Sequence, residues 1–290
     1  MNGVEKNRVA QSFNAVSGEY DQVAVLQRTV SDRLLDRLQL INIDPGNILD
    51  LGAGTGYSAR TLGKKYKNSR VLQLDMAIKM SIMSRSKAPR FFSRQHYVNG
   101  DLENMPLVNS GFDLVYSSMA LQWCNNLDNA FSETVRVLNP GGFFIFATLG
   151  PDTLKELRQS WAAADNHIHV NTFIDMHDIG DAMVRAGFEN VVMDVETITM
   201  TYPDCLALMR ELKLLGAHNV NTGRHKGLTG KDRLNKVLQQ YETYRKHGKL
   251  PASFEIIYGH AWKPAQAKQK FTAHTESYIP VTSITKRSAD

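Results

Sequence analysis

The chain has 290 residues, 42% of them hydrophobic, a formal net charge of +5 and two cysteines, Cys124 and Cys205. That composition fits one large globular domain and excludes a disulfide-stapled fold. No apolar run is long enough to cross a bilayer, and the first nine residues lack the apolar core of a secretion signal. A cytoplasmic, monomeric protein away from the membrane is therefore expected.

Taken in chain order, residues 9–40 read as helix, with a polar break at 14–21 and apolar residues at helical spacing in Val30, Leu34 and Leu38. Residues 48–51 read as a buried strand and 55–66 as a helix. A second strand, 71–74, is closed by Asp75, and a helix follows over 76–86. Residues 96–99 form a weak strand before Gly100 and Asp101. Residues 112–117 form a strong strand, 127–138 an amphipathic helix, and 143–149 a nearly all-apolar strand, as in the middle of a parallel sheet. Helices over 152–164 and 176–186 flank a loop at 167–173, and Gly187 stops the second helix. Residues 191–202 alternate as a strand, two helices span about 204–215 and 230–246, and 254–262 returns to strand. No internal repeat is visible. The alternation predicts a parallel α/β sheet with helices on both faces. A single domain is expected over 1–264, with a helical insertion at 203–250 and a polar tail at 265–290.

The most informative segment is Ile48-Leu49-Asp50-Leu51-Gly52-Ala53-Gly54-Thr55-Gly56. It is a strand running into a glycine turn and then a helix, at the carboxyl edge where open α/β sheets bind ligands. G-x-G-x-G is not the dinucleotide fingerprint, and no Lys-Ser/Thr pair grips a phosphate. A nucleoside bearing an amino acid suits such a turn. Asp75 lies about 20 residues farther on, where an acid commonly bonds ribose hydroxyls. Asp101 ends the third strand, and Ser117 with Ser118-Met119-Ala120 ends the fourth. Each carboxylate alone also fits a helix cap; their placement after successive strands favours ligand contact. The nine histidines form no metal pattern, His167 and His169 read as solvated or capping residues, and no metal site is expected.

Charge is segregated. The segment 203–250 holds ten cations, among them Arg210, Lys213, Arg224, Lys226, Lys231 and Arg233, against four anions, whereas the rest of the chain is nearly balanced. Such a surface attracts an acidic partner, although a solvated helix face reads equally well from charge alone.

In order, the segments 48–56, 71–75, 100–101, 112–117 and 138–142 resemble the motif set of class I S-adenosylmethionine-dependent methyltransferases. The resemblance implies a Rossmann-like, seven-stranded, mostly parallel sheet whose last strand, 254–262, is antiparallel. It also implies that Gly52, Gly54 and Gly56 line the methionine part of the cofactor, that Asp75 holds ribose, and that Asp101 and Leu102 flank adenine. Asp50, Met76, Ser117 and, more weakly, Gln27 join the expected cofactor set.

A narrower likeness runs from about residue 8 to 264. Ala10-Gln11-Ser12-Phe13-Asn14 with Tyr20-Asp21, then Leu121-Gln122-Trp123, 146–157, 177–181, 208–213 and 254–262 are similar to the malonyl-acyl-carrier-protein O-methyltransferases of biotin synthesis. That family esterifies the free carboxyl of a malonyl group on acyl carrier protein, releasing S-adenosylhomocysteine, so that fatty-acid synthesis can extend the masked unit. A carboxylate needs no strong general base, which agrees with the lack of an activated nucleophile in this chain. Arg210 is the first choice for holding the malonyl carboxylate, since a guanidinium pairs bidentately; a surface ion pair is the alternative. Tyr20 is expected near the sulfonium, with Gln122, Trp123 and Lys213 bordering the substrate and the basic insertion docking the acidic carrier. Three other readings remain open. The chain could methylate a small acid, as trans-aconitate methyltransferases do, or bind the cofactor as a non-transferring assembly factor. Nucleic-acid methylation is disfavoured, because no Asn/Asp-Pro-Pro-aromatic motif is present.

Overall fold

The computed structural model describes residues 4–89, 93–216 and 230–265. Helices α1 (Lys6–Val16), α2 (Tyr20–Val23) and α3 (Val25–Gln39) lead into strand β1 (Asn47–Leu51). There follow α4 (Tyr57–Lys65), β2 (Arg70–Asp75), α5 (Ile78–Ser86), β3 (Gln95–Asn99), β4 (Phe112–Ser118), α6 (Leu127–Val137) and β5 (Leu138–Leu149). Then come α7 (Lys155–Ala162), α8 (Met176–Ala186), β6 (Glu189–Tyr202), α9 (Cys205–Leu214), α10 (Lys231–Glu242) and β7 (Leu250–Trp262).

The seven strands form one sheet in the order β3-β2-β1-β4-β5-β7-β6. The pairs among β1 to β5 are parallel, whereas β7 runs antiparallel to both β5 and β6. The inserted helices α9 and α10 lie between β6 and β7 in sequence, as the charge pattern placed them. The expected last-strand reversal is present. β7 is longer than expected: its first residues, Leu250 to Glu255, pair only with β6 and extend past the end of β5.

The central strands alternate between two cores, because successive side chains point to opposite faces. Ile48, Leu114, Phe143 and Ile145 pack with Val30, Leu34 and Leu38 of α3 on one face. Leu49, Val115, Phe144 and Phe146 meet Phe131 of α6 and Ile179 of α8 on the other. Burial on both faces is why these strands read as continuous apolar runs. Helix ends follow local chemistry: Asn126, Asp175 and Asp204 cap α6, α8 and α9 by accepting backbone N–H bonds.

The N-terminal helical stretch, expected with a polar break at 14–21, divides into three helices. The polar stretch contains only a short turn, and Phe13 and Tyr20 from its two sides meet edge to face at 6.2 Å. The sheet's order reverses direction beside β1 and β4, which creates the crevice where ligands bind in open α/β sheets. Helices α1 and α2 lie over that crevice.

Candidate functional site

Two cavities open at the carboxyl rim of the sheet. The first encloses about 980 Å³, its mouth included, and is lined by the β1 turn, Asp75, Met76, Asp101 and Leu102, with α1 and α2 as a roof. The second encloses about 1460 Å³ on the same measure, beneath α9 and beside α7. Phe13, Tyr20, Gln27, Met119 and Trp123 line both. The cavities therefore meet at a wall of aromatic and amide side chains.

The first cavity is built from strand ends. Gly52 and Ala53 donate their N–H groups to Leu74 O at 2.8 and 3.2 Å, which ties the glycine turn to β2. Asp75 accepts from Gly54 N at 2.8 Å and from Ala77 N at 2.7 Å. Burial holds the Asp75 carboxyl above its usual range, and these two bonds act against that rise. Asp101 accepts from Glu103 N at 3.0 Å and pairs with Lys6 of α1 at 2.5 Å, while Lys6 also reaches Glu103 at 2.8 Å. Asp21, on the roof, accepts from Thr55 Oγ1 and Lys87 Nζ, both at 2.5 Å.

Among the described residues, four carboxylates, Asp21, Asp50, Asp75 and Asp101, line this space against one cation, Arg28. Asp50 is buried and its Oδ2 has no partner. Burial, and then the charge of Asp75, push its carboxyl up to about 7. Gln27 Oε1 and Ser118 Oγ are also buried on the cavity without partners. Unpaired buried acceptors are costly, and a cationic ligand would satisfy them. The residues present thus fit a group carrying ammonium and sulfonium charges.

Most of the cofactor residues expected from sequence are brought together: Gln27, Asp50, Gly52, Gly54, Asp75, Met76, Asp101 and Leu102 all line the first cavity. Two do not line it. Ser117 is fully buried and donates to Leu51 O at 3.1 Å, so the expectation is corrected by one residue to Ser118. The reason is strand parity: neighbours on β4 face opposite sides. Gly56 is a packing glycine, since a Cβ there would stand 1.9 Å from Ser84 Oγ.

On the second cavity, Gln122 donates to Met119 O at 2.6 Å and accepts from Thr148 Oγ1 at 3.2 Å. Trp123 meets Phe13 edge to face at 5.5 Å. Tyr20 has no hydrogen bond to its hydroxyl among the described residues. Burial, with the charges of Asp75 and Asp21, pushes its pKa far up, so it stays protonated and available as a donor. Arg210 does not reach either cavity. Its side chain is 71% exposed and lies 3.9 Å from Asp204, because the helical phase that buries Cys205 and Leu208 turns it to solvent. That corrects the sequence-based choice of carboxylate holder. Lys213, three residues on, does line the second cavity. Of the expected docking cations, Lys231 is exposed and Arg233 pairs with Asp165, whereas Arg224 and Lys226 lie outside the described residues.

Sequence reasoning missed the roof contacts of Lys6 and the wall formed by Trp161, His169 and Asn171. Lys6 carries no motif signal, since its partners lie about a hundred residues away. Among the described residues, no group of three or more His, Cys, Asp or Glu side chains is arranged to hold a metal, and no helix is long and apolar enough to cross a membrane.

Comparison with known proteins agrees with this geometry. Residues 49–146 match the family model described as a methyltransferase domain. The fold is similar to that of the YcgJ protein from Bacillus subtilis, with a TM-score of 0.58, 15% identity, and coverage of 80% of this chain and 97% of that one. The malonyl-[acyl-carrier protein] O-methyltransferase of Methylovorus sp. is 50% identical over 90% of both chains. That of Nitrosospira multiformis is 47% identical over 95% of both. The chain belongs to the malonyl-[acyl-carrier protein] O-methyltransferase family of S-adenosylmethionine-dependent enzymes.

Proposed function

We propose that this protein transfers the methyl group of S-adenosylmethionine to the free carboxylate of a malonyl thioester carried on acyl carrier protein. The observation that carries the reading is the shared wall: a carboxylate-lined cavity and a largely apolar one touch at Tyr20, Phe13, Gln27, Met119 and Trp123. A donor in the first and an acceptor in the second would face each other there.

In the first cavity, Asp75 and Asp101 would hold the ribose and adenine, and Asp50, Gln27 and Ser118 the methionine ammonium. S-adenosylmethionine supplies a methyl group already activated on a sulfonium. The new bond joins a carboxylate oxygen to the methyl carbon, the S–C bond breaks, and its electron pair returns to sulfur. No proton moves, so no general base is needed. The chain's task is alignment and exclusion of water, and orientation alone can lower a barrier by roughly 7–11 kcal/mol. Tyr20 would donate to the acceptor carboxylate, and Lys213 would attract it into the second cavity. The thiol of the half-buried Cys124, its pKa pushed far up by desolvation, stays protonated and takes no part in this scheme. The exposed cations of α10 and the turn after it, Lys231, Lys236 and Lys246, form the surface on which an acidic carrier would dock.

The test is transfer of labelled methyl to malonyl-carrier, malonyl-coenzyme A, free malonate, trans-aconitate and RNA in parallel. Base-labile label on the malonyl thioesters supports the proposal. Label on the free acids alone, on RNA, or on nothing refutes it.

A further inference from the structure

The wall of the second cavity is apolar over most of its length, so its few free polar atoms stand out. Leu157 and Trp161, four residues apart on one face of α7, line it together with Leu154 just before the helix. Leu154 is fixed at the rim, donating its N–H to Ser253 O at 2.6 Å. Four residues at helical rise place Trp161 about 6 Å beyond Leu157. His169 lies flat on Trp161, with ring centroids 3.7 Å apart and planes 12° from parallel. Its Nε2 is 2.8 Å from Asp165 Oδ1, and Asp165 Oδ2 is 3.3 Å from Arg233 of α10.

A carboxylate accepts, so Nε2 carries hydrogen, and Nδ1 is the ring nitrogen left for a ligand. It has no partner among the described residues. Away from the shared wall, where Tyr20 and Gln27 keep free polar atoms, several polar groups of this cavity are engaged. Gln122 bridges Met119 and Thr148, Thr153 Oγ1 bonds the backbone of Glu255, and Glu211 accepts from Tyr202. Asp165 and His169 are four residues apart in one loop, and Arg233 of α10 joins them only through packing.

We infer that His169 Nδ1 recognises the amide-bearing arm of a thioester acceptor, and that Asp165 is the positioning residue that fixes its ring. The inference rests on the thioester reading above. A three-carbon dicarboxylate seated where the cavities meet would touch the shared wall, whereas Trp161 lines only the second cavity, beyond that wall. An extended pantetheine-type chain, with its two amides, runs past it.

Steady-state kinetics of His169→Gln and His169→Asn test this, with malonyl-carrier and malonyl-coenzyme A as acceptors. Gln keeps a polar atom near Nε2 and the bond to Asp165 but gives up Nδ1. Asn keeps a polar atom near Nδ1 and gives up Asp165. The expected result is a KM about tenfold higher for both acceptors in His169→Gln, and within about threefold of wild type in His169→Asn. In both variants kcat and the calorimetric affinity for S-adenosylhomocysteine stay near wild type. The opposite order, with Gln the better replacement, would mean the ring only holds the wall together and would overturn the inference. So would unchanged KM in both variants, or a change confined to the carrier-bound acceptor. If wild type labels neither thioester, the thioester reading falls and this inference with it. If wild type labels both and His169→Gln is unaffected, only the inference falls.

Discussion

Asp50 gives the most direct test of the charge logic of the donor site. Its carboxyl is buried, its Oδ2 is unpaired among the described residues, and burial with the charge of Asp75 pushes its pKa up to about 7. A cation bound beside it would favour the ionised form and pull the pKa down. Binding below pH 7 must then release a proton, so affinity rises with pH and levels off once Asp50 is already ionised. With a free-state pKa of about 7, the ionised fraction grows about tenfold between pH 6 and pH 8, and affinity should grow by the same factor. Calorimetric titration of S-adenosylhomocysteine in two buffers of different ionisation enthalpy counts the proton directly. Asp50→Asn should flatten the profile and weaken binding at pH 8 by about ten- to a hundredfold, the worth of a hydrogen bond to a charged group. An unchanged pH slope in Asp50→Asn, or no proton release by wild type at pH 6, would refute the reasoning.

The same group sets a stability trend with a definite sign. An unfolded aspartate titrates near 4. Between about pH 4 and 7 the folded protein therefore binds more protons than the unfolded chain, and stability present at pH 4 is lost as the pH rises to about 7. The upper bound on that loss is about 4 kcal/mol. The ligand-free Asp50→Asn protein should consequently melt at a higher temperature than wild type at pH 8, and at a similar temperature at pH 4.

Three further outcomes are expected. Gly52→Ala places a Cβ 2.3 Å from Ala120 Cβ at a φ of +68°, whereas Gly54→Ala meets no atom within 4 Å at a φ of +55°; thermal melts should show a loss of about 2–3 kcal/mol for the first and about 1 kcal/mol for the second, and the reverse order would contradict the packing of the turn. Arg210→Ala should leave KM for the malonyl thioester within about twofold, while Lys213→Ala raises it about threefold to tenfold; equal effects would show that the phase of α9 has been misjudged. Tyr20→Phe should lower kcat about tenfold without changing affinity for S-adenosylhomocysteine, and a loss of that affinity instead would make Tyr20 part of the donor's binding site.

The donor half of the site is legible in the sequence because it is written in local terms. A carboxylate recurs at or just past the ends of β1, β2 and β3, with glycines after β1 and β3, so Asp50, Asp75 and Asp101 fall together once the sheet is parallel. Ser117 fails by one residue, since a strand's two faces look alike when both are buried. Arg210 fails for a related reason. The apolar stripe of α9 is broad enough to leave its phase open, and only packing against the core selects Cys205 and Leu208 as the buried pair. Lys6 and Arg233 act across long sequence separations, and Asp165 and His169, only four residues apart, sit in a loop with no helical pattern to announce their pairing.

This unevenness follows from the chemistry. A carboxylate and a sulfonium combine into two neutral products, so charge disappears along the reaction path. A low-dielectric surrounding then helps the step once both ions are held, because their attraction grows as water is excluded. Such a site needs charges to capture the donor, an apolar chamber for the acceptor, and few acid–base groups in between. Charged and glycine-rich strand ends leave a pattern in the sequence; an apolar chamber made of Leu154, Leu157, Met209 and Phe254 reads only as more hydrophobic core. The acceptor half is therefore defined by where helices α7, α9 and α10 come to rest, and its specificity depends on the few polar atoms that packing leaves free.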